Sequence, residues 1–225
     1  QFLMTLMTER KQKIGISLRI VEALNYEEER DALSHDWTSL LEELGFVSVH
    51  IPNTLKNLGD FLEEMNLDGI VLSGGDNIGE NKNRDETENK LLIYALEKKI
   101  PVIGVCRGMQ LINNYFGGKI STDGSTIHLA KKHNIEITNE NFSSLFTSSS
   151  FHVNTYHKNL IQTEGIGNGL KPFAIFSKDG SIEGFFHEKL PIIGVMWHPE
   201  RDPDQNSKVI ISTIFKNKKF LENWF

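Results

Sequence analysis

The sequence predicts an α/β fold: a mostly parallel sheet with helices on both faces. Three observations predict it. Short apolar runs alternate with amphipathic stretches along the chain, the βαβα order from which parallel sheets are built. Runs such as Pro101 to Val105 are apolar without a break, as central strands buried on both faces must be. The 225 residues are 39% hydrophobic, with no internal repeat and no linker, so one sizeable core over residues 13–225 is the economical reading.

Each element follows from local pattern. Lys13 to Ile20 begins as a strand. Tyr26 to Leu44 has helical spacing, with Leu33, Trp37, Leu40, Leu41 and Leu44 on one side, and Gly45 ends it. Phe46 to Ile51 is a second strand closed by Pro52, and Leu58 to Met65 a short helix. Gly69 to Ser73 is a third strand that runs into Gly74-Gly75-Asp76. Arg84 to Lys98 is a helix with Leu91, Leu92, Ala95 and Leu96 inward. Pro101 to Val105 passes directly into a helix from about Gly108 to Phe116. Beyond Gly117-Gly118 shorter strands follow, at Ile135 to Thr138 and Phe173 to Phe176, with a turn at Asp179-Gly180. Pro191 to Trp197 is a buried strand and Ser207 to Phe220 a closing helix.

Composition narrows the function. The net charge of -6 argues against nucleic acid, which needs a basic face. A local basic pocket for an anionic small molecule remains compatible with it. Residues 1–12 read as a leader or expression remnant, too short and interrupted for a signal peptide. No stretch could span a bilayer, so a cytoplasmic location without membrane partner is expected. A homodimer is compatible with the composition.

The lone cysteine, Cys106, can form no disulfide within the chain. By itself it would be a small buried hydrophobe. Its context is Gly104-Val105-Cys106-Arg107-Gly108, a G-x-C-x-G segment between strand and helix. A nucleophile elbow requires that setting, because the turn is too sharp for large neighbours. Amides at the helix start would lower the thiol pKa, and the Arg107 amide would face a developing oxyanion. His198, just past the strand at Pro191 to Trp197, falls where parallel sheets gather functional groups. Glu200 is two residues on, across Pro199, on the same side of an extended segment. It can orient the imidazole while the other ring nitrogen serves the thiol. Gly74-Gly75 offers a second oxyanion donor, the Gly75 amide. His35, His50 and His187 read as surface or edge residues. His128 and His133 fit no helical zinc spacing and read as surface loop.

Leu72 to Asp76 (LSGGD), Gly104 to Gln110 (GVCRGMQ) and Gly194 to Glu200 (GVMWHPE), in this order, resemble the class I glutamine amidotransferases. The Cys-Arg-Gly variant, with Arg84-Asp85 and Glu88 heading a helix, is similar to the γ-glutamyl hydrolase branch. The resemblance covers nearly all of the chain after Lys13. It implies a flavodoxin-like sheet with a hairpin-rich excursion, a Cys106–His198–Glu200 triad, a small γ-glutamyl substrate, and no cofactor or metal. It places Gln110, Asn154, Tyr156 and His157 around the glutamyl end. The chain departs from the family's Asn-Ser-x-His-His-Gln block, with Lys158 and Asn159 in the last two places, which implies a different leaving group. Short bacterial members of the branch sit with nucleotidyl and capsule-polysaccharide enzymes, which implies a nucleotide-linked amidate. Arg84, Arg107, Lys158 and Arg201 are expected as a cationic cluster at the mouth, and Glu88 as an ion-pair partner of Arg107 or Arg84. An ammonia-supplying glutaminase subunit shares the triad and stays open. A degenerate binding relative is disfavoured by the intact motifs, and an α/β-hydrolase esterase by the acid following the histidine.

Overall fold

The computed structural model describes residues 10–122, 128–201 and 203–217. Most of the expected leader and the end of the closing helix lie outside these residues. Arg10 pairs with Asp68 at 2.7 Å, and Gln12 donates to the Phe215 carbonyl at 2.9 Å, so residues 10–12 are tied to the fold.

The elements are, in order, β1 (Lys13–Ser17), β2 (Arg19–Glu22), β3 (Glu29–Ala32), α1 (His35–Glu43), β4 (Val47–Ile51), α2 (Leu58–Met65), β5 (Gly69–Leu72), α3 (Lys82–Lys98), β6 (Val102–Val105) and α4 (Arg107–Tyr115). Then come β7 (Ser121–Thr122), β8 (Leu129–Ile137), α5 (Glu140–Ser143), β9 (Ser150–Tyr156), β10 (Asn159–Leu160), β11 (Leu170–Ile175), β12 (Ile182–His187), β13 (Ile192–Val195) and α6 (Gln205–Lys216). Nine strands form one sheet in the order β4-β1-β5-β6-β13-β12-β11-β8-β9. From β4 to β13 the pairing is parallel, and from β13 to β9 antiparallel. This is the α/β, mostly parallel half that the sequence predicts, extended by an antiparallel excursion.

Alternation along the central strands sends side chains to two faces. Ile14, Ile16, Val71, Ile103, Val105, Ile193 and Val195 pack with Trp37 and Leu40 of α1 and Ile210 and Ile214 of α6. Ile70, Leu72, Val102 and Ile192 pack with Leu62 of α2, Leu91 and Leu92 of α3, and Met109 and Ile112 of α4. No helix among the described residues is long and apolar enough to cross a membrane.

Two readings need correction. The expected helix from Tyr26 to Leu44 is only its second half. Ser34 caps α1, its hydroxyl accepting from the Asp36 N–H at 3.3 Å. The buried positions Trp37, Leu40 and Leu41 all lie beyond that cap. The charged run before it has no apolar stripe to bury, and pairs instead as the β2–β3 hairpin, Arg19 opposite Ala32. Of the histidines expected at the surface, His35 and His50 are exposed, but three are buried: His128 is 1%, His133 6% and His187 8% exposed. His187 ends β12 and stacks near Phe116, ring centroids 4.8 Å apart.

A candidate active site at the ends of three parallel strands

β5, β6 and β13 are neighbours in the sheet and run the same way. Their carboxyl ends therefore lie side by side, carrying Gly74-Gly75, Cys106 and His198 respectively. The register sets Val105 opposite Val195, and the Cys106 N–H donates to the Val195 carbonyl at 2.8 Å. Thiol and imidazole reach the same place because they hang from adjacent strands.

The elbow accounts for both glycines of G-x-C-x-G. A Cβ on Gly108 would stand 2.0 Å from the Leu72 carbonyl oxygen, and one on Gly104 would stand 2.6 Å from Gly108. Helix α4 can start this close to β5 and β6 only without side chains there. Cys106 itself has φ 50 and ψ -103, a left-handed conformation that costs a non-glycine residue of order 1–3 kcal/mol and recurs at functional sites. Burial pushes the Cys106 thiol up to about 12, and the negative Glu200 adds to that rise. The Arg107 backbone N–H pulls the other way and is outweighed. The thiol is therefore protonated at neutral pH, contrary to the lowering expected from the helix start alone.

His198 Nδ1 lies 2.8 Å from Glu200 Oε1, with both side chains at most 4% exposed. That contact leaves Nε2 for a second partner. Asn154 holds the backbone of the loop: its carbonyl accepts from the His198 N–H at 2.9 Å, and its amide donates to the carbonyls of His198 at 2.9 Å and Arg201 at 3.1 Å. Gly74 measures how tightly the parts fit. A Cβ there would lie 2.6 Å from His198 Cε1 and 3.6 Å from Cys106 Cβ. The imidazole and the cysteine thus pack against one backbone position.

A buried ionic network fixes that position from beneath. Arg84 donates to the carbonyls of Ser73 at 3.0 Å and Gly74 at 2.8 Å, and its Nε pairs with Glu88 at 3.0 Å. Ser17 Oγ donates to Glu88 at 2.7 Å and accepts the Ser73 N–H at 2.9 Å. The Arg107 guanidinium pairs with Glu88 and Asp85. Burial pushes both guanidiniums down, to about 10, and both stay cationic at neutral pH. Because the Gly74 carbonyl turns toward Arg84, the trans peptide turns the Gly75 N–H away from it. Gly75 has φ 132, open to glycine and strained for other residues.

The expected cationic cluster is therefore largely dismantled. Arg84 and Arg107 are buried and neutralised beneath the site, because α3 brings Asp85 and Glu88 to them. Lys158 is exposed. Arg201 stays at the mouth, its guanidinium 4.5 Å from the centre of the Tyr156 ring. Tyr156 in turn stands edge-on to His198, centroids 5.8 Å apart. Gln110 is buried, its amide 3.8 Å from Met196 Sδ and its carbonyl 3.4 Å from the Asn159 amide. The His157 ring turns inward, away from this group, to Asn159 and Glu183. A cavity of about 50 Å³ is lined by Gly74, Gly75, His198 and Glu200 together with Arg19 and Arg201 among others. A second, of about 260 Å³, is lined by Lys132, His152, Asn154, Tyr156, Arg201 and Asp204 among others. Arg201 borders both. Gly74 and Arg19 join the site in addition to the residues expected from the motifs; LSGGD carried the signal for the first, and only the hairpin reveals the second.

Residues 30–218 match the family model described as glutamine amidotransferase class-I. The chain is 32% identical to the γ-glutamyl-CDP-amidate hydrolase of Campylobacter jejuni over 219 residues, 94% of this chain and 96% of that one. It is 29% identical to a glutamine-hydrolysing GMP synthase subunit of Methanococcus vannielii, over 71% of this chain and 78% of that one. Among solved structures, a provisionally assigned GMP synthase subunit of Thermoplasma acidophilum superimposes with a TM-score of 0.71 at 22% identity, covering 95% of this chain and 98% of that one.

Proposed function

The chain belongs to the class I glutamine amidotransferases, and from that premise we propose that it is a free-standing hydrolase of γ-glutamyl amides whose substrate is a γ-glutamyl-CDP-amidate. The family's chemistry is hydrolysis of glutamine or a γ-glutamyl amide. The observation that carries the reading to this site is the packing of His198 and Cys106 against Gly74, with Glu200 on the far imidazole nitrogen.

The steps follow from that placement. Cys106 Sγ attacks the γ-carbonyl carbon as its proton passes to His198 Nε2. Glu200 keeps Nδ1 protonated and steadies the imidazolium. The amides of Gly75 and Arg107 receive the oxyanion. The C–N bond breaks, His198 returns the proton to the leaving nitrogen, and a γ-glutamyl thioester remains. Water, losing a proton to His198, attacks the thioester; the C–S bond breaks, the thiol is reprotonated and glutamate leaves. Gln110, Tyr156 and the backbone at His157 border the glutamyl group. Asn154 acts through the His198 loop as a positioning residue.

The leaving group is the finer part. Arg201 sits between the small cavity at His198 and the larger one bordered by Lys132, His152 and Tyr156. A phosphate beside the scissile nitrogen would meet its guanidinium. The relative in C. jejuni has the same extent and bears that substrate in its name. The second reading, an ammonia-supplying subunit, rests on the GMP synthase relatives.

One experiment separates them. Glutamate release by the isolated chain is measured on γ-glutamyl-CDP-amidate, γ-glutamyl-γ-aminobutyrate and glutamine, with Cys106→Ser as background. The expected order has the CDP-amidate first in kcat/KM by about tenfold or more, a difference of ~1.4 kcal/mol in transition-state binding. Turnover of glutamine alone, and only with a synthase added, selects the ammonia-supplying reading. Substantial turnover by Cys106→Ser would end the cysteine mechanism for both.

A further inference from the structure

The open end of the β8–β9 hairpin places two histidines side by side, near a carboxylate, Glu183, whose charge reaches Cys106. His128 immediately precedes β8 and His157 immediately follows β9; the His157 N–H donates to the His128 carbonyl at 3.1 Å, and their ring centroids are 4.7 Å apart. Glu183 of β12, fully buried, points up between them. Its Oε1 is 3.5 Å from His157 Nε2 and 3.9 Å from His128 Nδ1, and its Oε2 is 3.3 Å from His133 Nε2. None of these atoms has a hydrogen bond of acceptable geometry among the described residues. Unsatisfied polar atoms this deep are rare, and a group of them needs a cause.

The outward-facing nitrogens decide what the inner ones carry. His157 Nδ1 faces the Asn159 carbonyl at 3.1 Å, which can only accept, so Nδ1 bears the proton. His128 Nε2 faces the Asp179 carboxylate at 2.7 Å and bears the proton there. In the neutral imidazoles, Nε2 of His157 and Nδ1 of His128 then present lone pairs to a carboxylate oxygen. Two lone pairs aimed at an anion repel unless positive charge lies among them, either an added proton on an imidazole or a metal cation.

We propose that His128, His157 and Glu183 bind a structural divalent cation of the Zn²⁺ class, with His133, 3.3 Å from the second oxygen of Glu183, or water as the fourth donor. One ligand atom from each of the first three lies within 4.8 Å of the others. Ligands at the ~2.0–2.2 Å typical of tetrahedral zinc stand about 3.4 Å apart, against 3.5 and 3.9 Å from Glu183 to the two histidines and no more than 4.8 Å between any pair of ligand atoms. Imidazole and carboxylate are donors Zn²⁺ accepts. The Asp179 and Asn159 contacts are the outer-sphere partners that fix ligating histidines in their tautomer. The ion would staple the β8–β9 end to β12. It would thereby brace the segment carrying Tyr156 beside His198.

The test uses the full chain, stripped by dialysis against chelator and titrated with Co²⁺. One equivalent is expected to bind, with the visible d–d absorption of a tetrahedral site, and Zn²⁺ should displace it. Asp179→Asn, which leaves all ligands in place, should weaken binding about 10–100-fold; His157→Ala and Glu183→Gln should abolish the band. Should the ligand variants not fold, the melting temperature of the unaltered chain decides, rising with Zn²⁺ and falling with chelator. A natively folded chain that takes up no stoichiometric Co²⁺ overturns the proposal and leaves the cluster held by protons. A band that survives Glu183→Gln in folded protein also overturns it.

Discussion

The single cysteine makes the chemistry of this site directly readable. Because burial raises the Cys106 thiol to about 12, no thiolate stands ready at neutral pH, and in the mechanism proposed above proton transfer to His198 accompanies attack. The rate of alkylation by iodoacetamide should therefore climb with pH through 10 without levelling. An ordinary thiol levels above its pKa of ~8.5. A plateau below pH 8 would instead reveal a standing thiolate–imidazolium pair. Gly74 gives a second test. Gly74→Ala would drive a methyl to 2.6 Å from His198 Cε1, so the imidazole must move. A displacement of about 1 Å can cost ~100-fold in rate. We expect kcat to fall by about that factor with the far-UV spectrum unchanged; full activity would show that the base has room to spare. Motif spacing alone brought Cys106, His198 and Glu200 into consideration, because each lies in a short contiguous block. The inward turn of the His157 ring was not legible, since it depends on Glu183, which lies 26 residues further on.

Among the elements, α3 does more than its amphipathic pattern announces. Its apolar face carries Leu91, Leu92 and Ala95, while its first turns bury Arg84, Thr87 and Glu88. In sequence, charges near a mouth motif read as solvent-facing, and the cationic cluster was misplaced for that reason. Packing α3 against the ends of β1 and β5 closes water out, and the charges pair among themselves. Glu88 is the shared anion of two guanidiniums and the Ser17 hydroxyl. Removing one partner of a buried pair costs about 3–5 kcal/mol. Glu88→Gln should thus lower Tm by roughly 6–20 °C, taking about 2–4 °C per kcal/mol for a chain of this size. A calorimetric Tm within 2 °C of the parent would mean the network is solvated and dispensable. The β2–β3 hairpin escaped the sequence for the opposite reason: residues 26–32 have almost no apolar pattern, and helical spacing beyond Ser34 was extended back across them.

At the scale of the whole molecule, the central parallel strands were legible because they are continuous apolar runs, and the antiparallel half less so because its strands are mixed in polarity: β9 and β11 are half-buried, and β12, buried throughout, carries Glu183 and His187. The histidine–Glu183 cluster was invisible for a topological reason. Its members lie just before β8, within it, just past β9 and in β12, far apart in the chain, and only the sheet order joins them. That same order has a further result. Thiol and imidazole are brought side by side by one inter-strand spacing, β6 to β13, whereas the 85 residues from 107 to 191 leave the sheet's centre and return to it, touching the histidine's loop through Asn154. Descendants of such a chain can lengthen, trim or recolour the excursion away from Asn154, and with it the walls of the larger cavity, while the two strand ends that carry Cys106 and His198 stay side by side.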